Sequence, residues 1–136
     1  DDKLRSIWDA ACENDVQLME TLLDDAPELI SARDGNQWTP LHHAAVCSSL
    51  NVMAILLARG ADVHAQGRAN ETPLHLADNE PVTWLLLRYG ADPLIVDRYG
   101  MTALDLVNDD KQPELHQMIL DAMEHLYSRS RVPPLN

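Results

Sequence analysis

Two seven-residue stretches share one pattern, and they begin 33 positions apart. Thr39-Pro40-Leu41-His42-His43-Ala44-Ala45 is matched by Thr72-Pro73-Leu74-His75-Leu76-Ala77-Asp78. A weaker copy, Thr102-Ala103-Leu104-Asp105-Leu106, follows 30 residues later. A second landmark keeps the same register: Leu56-Leu57-Ala58-Arg59-Gly60-Ala61-Asp62 matches Leu86-Leu87-Arg88-Tyr89-Gly90-Ala91-Asp92. Near the N-terminus, Trp8-Asp9-Ala10-Ala11 followed by Leu22-Leu23-Asp24-Asp25-Ala26 is a degenerate first copy. A fixed period of this length means that each copy is one supersecondary unit, which buries its apolar face only by stacking on its neighbours.

The residues of one copy explain its shape. Thr39 and Thr72 are good helix N-caps, since a hydroxyl can take an orphan backbone N–H. Pro40 and Pro73 occupy the first helical position, where a missing N–H costs nothing. Leu41, Ala44 and Ala45 give a short helix with a small apolar face, against which a second helix can lie closely. Val52, Ile55 and Leu56 form one stripe on that second helix. Gly60 and Gly90 stand where a left-handed C-terminal cap is needed. A short extended stretch then leads to the next turn.

These residues resemble the ankyrin repeat family, whose signature is a 33-residue period with Thr-Pro-Leu-His-x-Ala. The resemblance covers about residues 4–126. It implies an all-α solenoid of stacked helix-turn-helix units with short β-hairpin-like turns. We read residues 1–136 as a single domain with repeats at about 3–33, 34–66, 67–96 and 97–127, and a tail at 128–136. Helices are predicted near 4–13 and 15–25, 40–48 and 51–59, 73–78 and 81–89, 103–108 and 113–127. The third unit is three residues short between its helices, so its first helix is clipped and Pro81 opens the second. Gln37 and Asn70 replace the glycine expected before each threonine, while Gly100 keeps it. Ala103 and Asp105 replace Pro and His in the fourth unit, as suits a polar terminal cap.

Composition agrees with close-packed helices. Hydrophobic residues make up 46%, aromatics only 4%, and Phe is absent, so the core is built from Leu, Ala, Ile, Val and Met. Net charge is -12, of which residues 1–30 supply -7, from nine acids against Lys3 and Arg5. A field of that sign repels nucleic acid and anionic lipid and attracts a basic protein surface. No apolar run approaches a membrane span, and no signal peptide is visible. Two cysteines, Cys12 and Cys47, are too few for a disulfide scaffold and fit a reducing compartment. We therefore expect a monomer inside the cell, in cytoplasm or nucleus; a secreted bacterial effector acting within a host cell is the other setting.

No catalytic set is visible: there is no nucleophile elbow, no phosphate-cradling loop, and paired acids such as Asp24-Asp25 sit at helix ends. His43 and Cys47 share a helix face, but two ligands do not make a metal site, so neither metal nor cofactor is expected. His42 and His75, by resemblance, hydrogen-bond locally between neighbouring turns. Thr39, Pro40, His42, Gly60, Thr72, Pro73, His75 and Gly90 are thus structural. In the family, partners lie along a concave face of turn tips and first helices. By position, the tips here carry Asn36 and Trp38, then Arg68 and Glu71, then Arg98, Tyr99 and Met101. The first helices carry His43, Val46 and Cys47, then Asp78 and Asn79, then Asn108 and Asp109. Trp38, Arg68 and Tyr99 are expected to line up as a contact strip, since aromatics and Arg dominate interface hot spots. Trp8 and Trp84 are expected in core or rear-face packing. The implied function is a non-catalytic adaptor or scaffold that binds another protein. Alternatives are a stoichiometric inhibitor of an enzyme such as a kinase, or a chaperone for a basic client. Four-unit kinase inhibitors of this family also have a clipped first helix, but in the second unit rather than the third.

Overall fold

The computed structural model describes the backbone of residues 2–107 and 110–131 and the side chains of 6–107 and 110–126. Among the described residues eight α-helices run in chain order: α1 Asp2–Glu13, α2 Val16–Asp25, α3 Pro40–Val46, α4 Leu50–Ala58, α5 Pro73–Leu76, α6 Glu80–Arg88, α7 Ala103–Leu106 and α8 Pro113–Arg131. No strand occurs among the described residues. The helices pair as α1/α2, α3/α4, α5/α6 and α7/α8. The first helices stack in one row, α1 on α3, α3 on α5 and α5 on α7. The second helices stack in another, α2 on α4, α4 on α6 and α6 on α8.

Small side chains let the rows meet. Ala10, Ala11, Ala44, Ala45, Ala77 and Ala103 are buried on or beside the first helices, facing Met19, Leu23, Val52, Met53, Leu56, Val82, Leu86 and Ile119 from the second row. These form one continuous core, in which truncating a fully buried Leu56 to Ala costs roughly 2–5 kcal/mol.

The ends of the helices carry the repeat's logic. Gly60 and Gly90 adopt φ of 92° and 91°. Behind each, the chain closes the same way: Ala61 N–H reaches the Leu56 carbonyl, and Ala91 N–H reaches that of Leu86. In the first pair and the second, the first helix ends on a non-glycine left-handed residue, Asn14 at 56° and Ser48 at 57°. The third pair lacks the residues for that turn. Its α5 stops after four residues, Ala77 turns extended, and Asn79 caps α6 by accepting from the Val82 N–H at 3.0 Å. Pro81 lies in the first turn of α6, one residue inside its start at Glu80.

The C-terminal half and the segment after α2 differ further from the predicted helices. A 3₁₀ turn at Pro27–Ser31 was not foreseen; Pro27 opens it and Leu29 buries against the core. Helix α7 ends at Leu106, because Val107 is extended. Helix α8 runs to Arg131 rather than stopping near 127. Asn108, Asp109 and residues 132–136 of the tail lie outside the described residues.

Candidate protein-binding face

Each turn tip closes on one backbone pair, and these pairs fix the register between tips. Asp34 N–H donates to the Trp38 carbonyl at 3.0 Å, Gly67 to Glu71 at 2.8 Å, and Asp97 to Met101 at 2.9 Å. Trp38, Glu71 and Met101 therefore hold one equivalent position. The residue after each apex is left-handed: Gln37 at 62°, Asn70 at 62° and Gly100 at 77°. The tips are also tied to one another, Arg68 N–H to the Asn36 carbonyl at 2.9 Å and Arg98 N–H to the Ala69 carbonyl at 2.8 Å. A continuous backbone ladder thus runs along the edge of the stack. Arg33 adds a clamp, its guanidinium donating to the carbonyls of Gln37 at 2.7 Å and Gln66 at 2.8 Å.

Two tips are stiffened by an aspartate. Asp34 Oδ1 accepts from the Asn36 and Trp38 N–H groups at 2.8 and 3.0 Å. Asp97 Oδ1 accepts from Tyr99 and Met101 at 2.9 and 3.0 Å. Burial alone pushes the Asp34 carboxyl up, but the Trp38, His43 and Asn36 donors outweigh it and leave it below the ordinary value. At Asp97 the Met101 N–H, with Tyr99, overcomes a smaller burial effect in the same direction. The middle tip has Gly67 instead. A Cβ there would collide with the Glu71 carboxylate and come within 2.7 Å of the Trp38 ring. Glu71 Oε1 takes over the bracing, accepting from Ala69 N–H at 3.2 Å.

The motif histidines join helix to tip. His42 Nδ1 accepts from Thr39 N–H at 3.1 Å, so Nε2 carries the proton and donates to the Glu71 carbonyl at 3.0 Å. His75 repeats this with Thr72 at 3.0 Å and Met101 at 2.9 Å. Burial favours the neutral His42 ring and holds its pKa below the ordinary value, partly opposed by the Glu71 hydrogen bond. Asp105 accepts from Thr102 N–H at 2.9 Å in the same place, but a carboxylate has no proton to pass on to a further tip.

The expected strip of Trp38, Arg68 and Tyr99 does not form one row. Trp38 is half-buried, its ring stacked on His42 at 6.0 Å and set edge-on to His43 at 5.3 Å. Its Nε1 is buried with no partner among the described residues. A residue expected in the contact strip therefore packs the junction between two tips. Glu71 and Met101 share its half-buried row. Asn36, Arg68, Arg98 and Tyr99 belong to the outward row, with Tyr99 74% exposed and the Arg98 guanidinium 5.9 Å from its ring.

Among first-helix positions, Val46 and Cys47 are exposed, while His43 is half-buried and bonded through Nε2 to Asp34 Oδ2 at 2.6 Å. Trp8 packs against the same imidazole at 5.1 Å, so His43 sits between two indoles. Asp78 and Asn79 are not on a first helix at all; they follow its end, and Asn79 is committed to capping α6 and to the Ser48 hydroxyl at 2.8 Å. Trp84, expected to be packed, is 53% exposed on α6 with Arg88 5.4 Å from its ring centroid. Two contributors to this face were not foreseen, Asp34 and Trp8. An aspartate opening a tip, with amides two and four residues on, was the available signal for Asp34. Trp8 becomes visible only once α1 stacks on α3. His64 bridges the loops of the second and third pairs by accepting from Asp92 N–H at 3.0 Å.

Known proteins match this stack. A family model described as ankyrin repeats (many copies) matches residues 22–77, and one described as ankyrin repeat matches 70–98. Human BCL-6 corepressor-like protein 1 is 33% identical over 110 residues, which cover 79% of this chain and 6% of that protein. The Arabidopsis thaliana serine/threonine-protein kinase VIK is 43% identical over 68 residues, covering 50% of this chain and 15% of the kinase. The ankyrin repeat-containing protein P1E11.10 of Schizosaccharomyces pombe is 27% identical over 131 residues, covering 95% of this chain and 59% of its own length. The chain thus spans less than two thirds of each of these relatives.

Proposed function

The chain belongs to the ankyrin repeat family, whose repeats mediate protein–protein interaction, and from that premise we propose that it is a non-catalytic adaptor or scaffold module gripping a partner protein along its tip face. The observation that carries this reading is the division of labour at the tips. The backbone ladder, the two aspartates and the half-buried row of Trp38, Glu71 and Met101 hold the tips rigid. Asn36, Arg68, Arg98 and Tyr99 are left exposed on that rigid edge. Aromatic and Arg side chains carried on a pre-organised backbone spare the cost of ordering the loop on contact, which suits an interface anchor. Val46 and Cys47 extend the surface along the first helices.

Affinity capture from a proteome, comparing wild type with a Arg98→Ala/Tyr99→Ala double variant, tests this reading. Partners retained by wild type and by Trp84→Ala, but lost with the double variant, fit the tip face. Partners lost only with Trp84→Ala would place the interface on the second helices instead.

A second reading draws on charge. The exposed acids Asp9, Glu13, Glu20 and Asp24 on the first helix pair, with Glu28 on the 3₁₀ turn after it, concentrate away from the arginines of the tips. That end suits a basic client, as an escort or chaperone would bind. Binding there should weaken steeply with ionic strength, whereas a contact centred on Tyr99 should not.

A further inference from the structure

Cys12 on α1 and Cys47 at the end of α3 are 35 residues apart in sequence, yet their Sγ atoms lie 2.6 Å apart. Both residues are exposed. We propose that they form an oxidant-sensitive dithiol, which a peroxide converts to an intramolecular disulfide joining the first two helix pairs. The tip-binding reading plays no part in this inference.

The surroundings supply what the reaction needs. His43 Nδ1 lies 4.0 Å from Cys12 Sγ. The Asp34 carboxylate can only accept, so it fixes the proton of the neutral ring on Nε2 and leaves the Nδ1 lone pair facing the thiol. Nδ1 can therefore take a thiol proton. The thiolate sulfur attacks one peroxide oxygen; an S–O bond forms, the O–O bond breaks, and hydroxide leaves as water with a proton from the site. The other sulfur then attacks the resulting sulfenic sulfur. The S–S bond forms, the S–O bond breaks, and a second water leaves. Two thiols lose two electrons and two protons, and one peroxide is reduced to two waters.

Burial, then the Cys47 neighbour and the acids Asp9 and Glu13, push the Cys12 thiol up to about 12. The resting thiol is thus held protonated, and because the thiolate is the reactive form, attack requires His43 Nδ1 to take the proton as the sulfur reacts. A disulfide here would be a transient product of oxidant exposure, as expected for a chain in a reducing compartment. It would bridge α1 and α3, which already pack together.

The test uses the full chain, reduced and then treated with hydrogen peroxide. Expected are a monomer lighter by about 2 Da, loss of both thiols titrated by Ellman's reagent, and full reversal by dithiothreitol. The melting temperature of the oxidised monomer should rise by several degrees, because the bond restricts the unfolded chain. Cys12→Ser and Cys47→Ser should each abolish the mass loss. Two titratable thiols after treatment, oxygen adducts without a cross-link, a disulfide-linked dimer, or a lowered melting temperature would overturn the proposal.

Discussion

The first and second turn tips do the same mechanical job with different residues. At the first, Asp34 braces the loop from its opening position. At the second, that position is Gly67, and Glu71 braces the loop from the closing position. The difference traces to the space over residue 67. A side chain there would run first into the Glu71 carboxylate and then into the Trp38 indole, so the brace comes from the other end. The two tips are packed into one another.

The largest break in this comparison is expected from Trp38→Ala. It empties the junction over Gly67 and beside His42, and should cost about 2 kcal/mol, less than a fully buried aromatic because the ring is only half covered. Urea denaturation measures it, and an unchanged midpoint would show that the ring is not a packing element. Gly67→Ala should follow, at about 1–2 kcal/mol, through overpacking against Glu71 and Trp38. In a Trp38→Ala background that cost should shrink, and a double-mutant cycle reads the coupling directly. Asp34→Ala should cost about 1 kcal/mol, since the Asn36 and Trp38 N–H groups lose their acceptor.

The smallest effect is a pH dependence. His42 is held below its ordinary 6.5, so its contribution is complete above that pH and is lost as pH falls through the folded value. Asp34 and Asp97 are held below 3.8, so theirs is lost only at still lower pH. A melting temperature followed downward from pH 7 should therefore decline in two stages. Trp38→Phe should remove neither stage; it keeps the ring packing and deletes an unpartnered buried N–H, so stability should stay within about 0.5 kcal/mol of wild type.

The stack was legible because its signals are local. Thr39 and Thr72 start helices, Gly60 and Gly90 end them, and the 33-residue spacing forces the copies into register. Gln37 and Asn70 stand where glycine is expected, and both take the left-handed backbone that glycine would. The candidate face was less legible because it depends on neighbours. Nothing within residues 34–39 tells whether Trp38 points outward or down onto the next tip; that depends on contacts a whole period away, where the ring lies beside Gly67. The missing residues of the third unit imply a clipped first helix, but the expected end near 78, with Asp78 and Asn79 on the helix face, overshoots the observed end at Leu76. The Asn79-Glu80-Pro81 order is itself a capping signal that outweighs the Ala77-Asp78 continuation.

The motif histidines have a consequence for how the stack comes apart. His42 has one nitrogen in its own pair and the other on a carbonyl of the following tip. His75 does the same, and Asp105 breaks the series. The dependence has a direction. Peeling away the last pair strands a proton on His75 in the pair before it, whereas peeling away the first pair breaks no hydrogen bond of a motif histidine. Unravelling is therefore costed differently from the two ends: each unit vouches for the one before it, and the frontier between folded and unfolded chain advances against that grain when it starts from the C-terminal side.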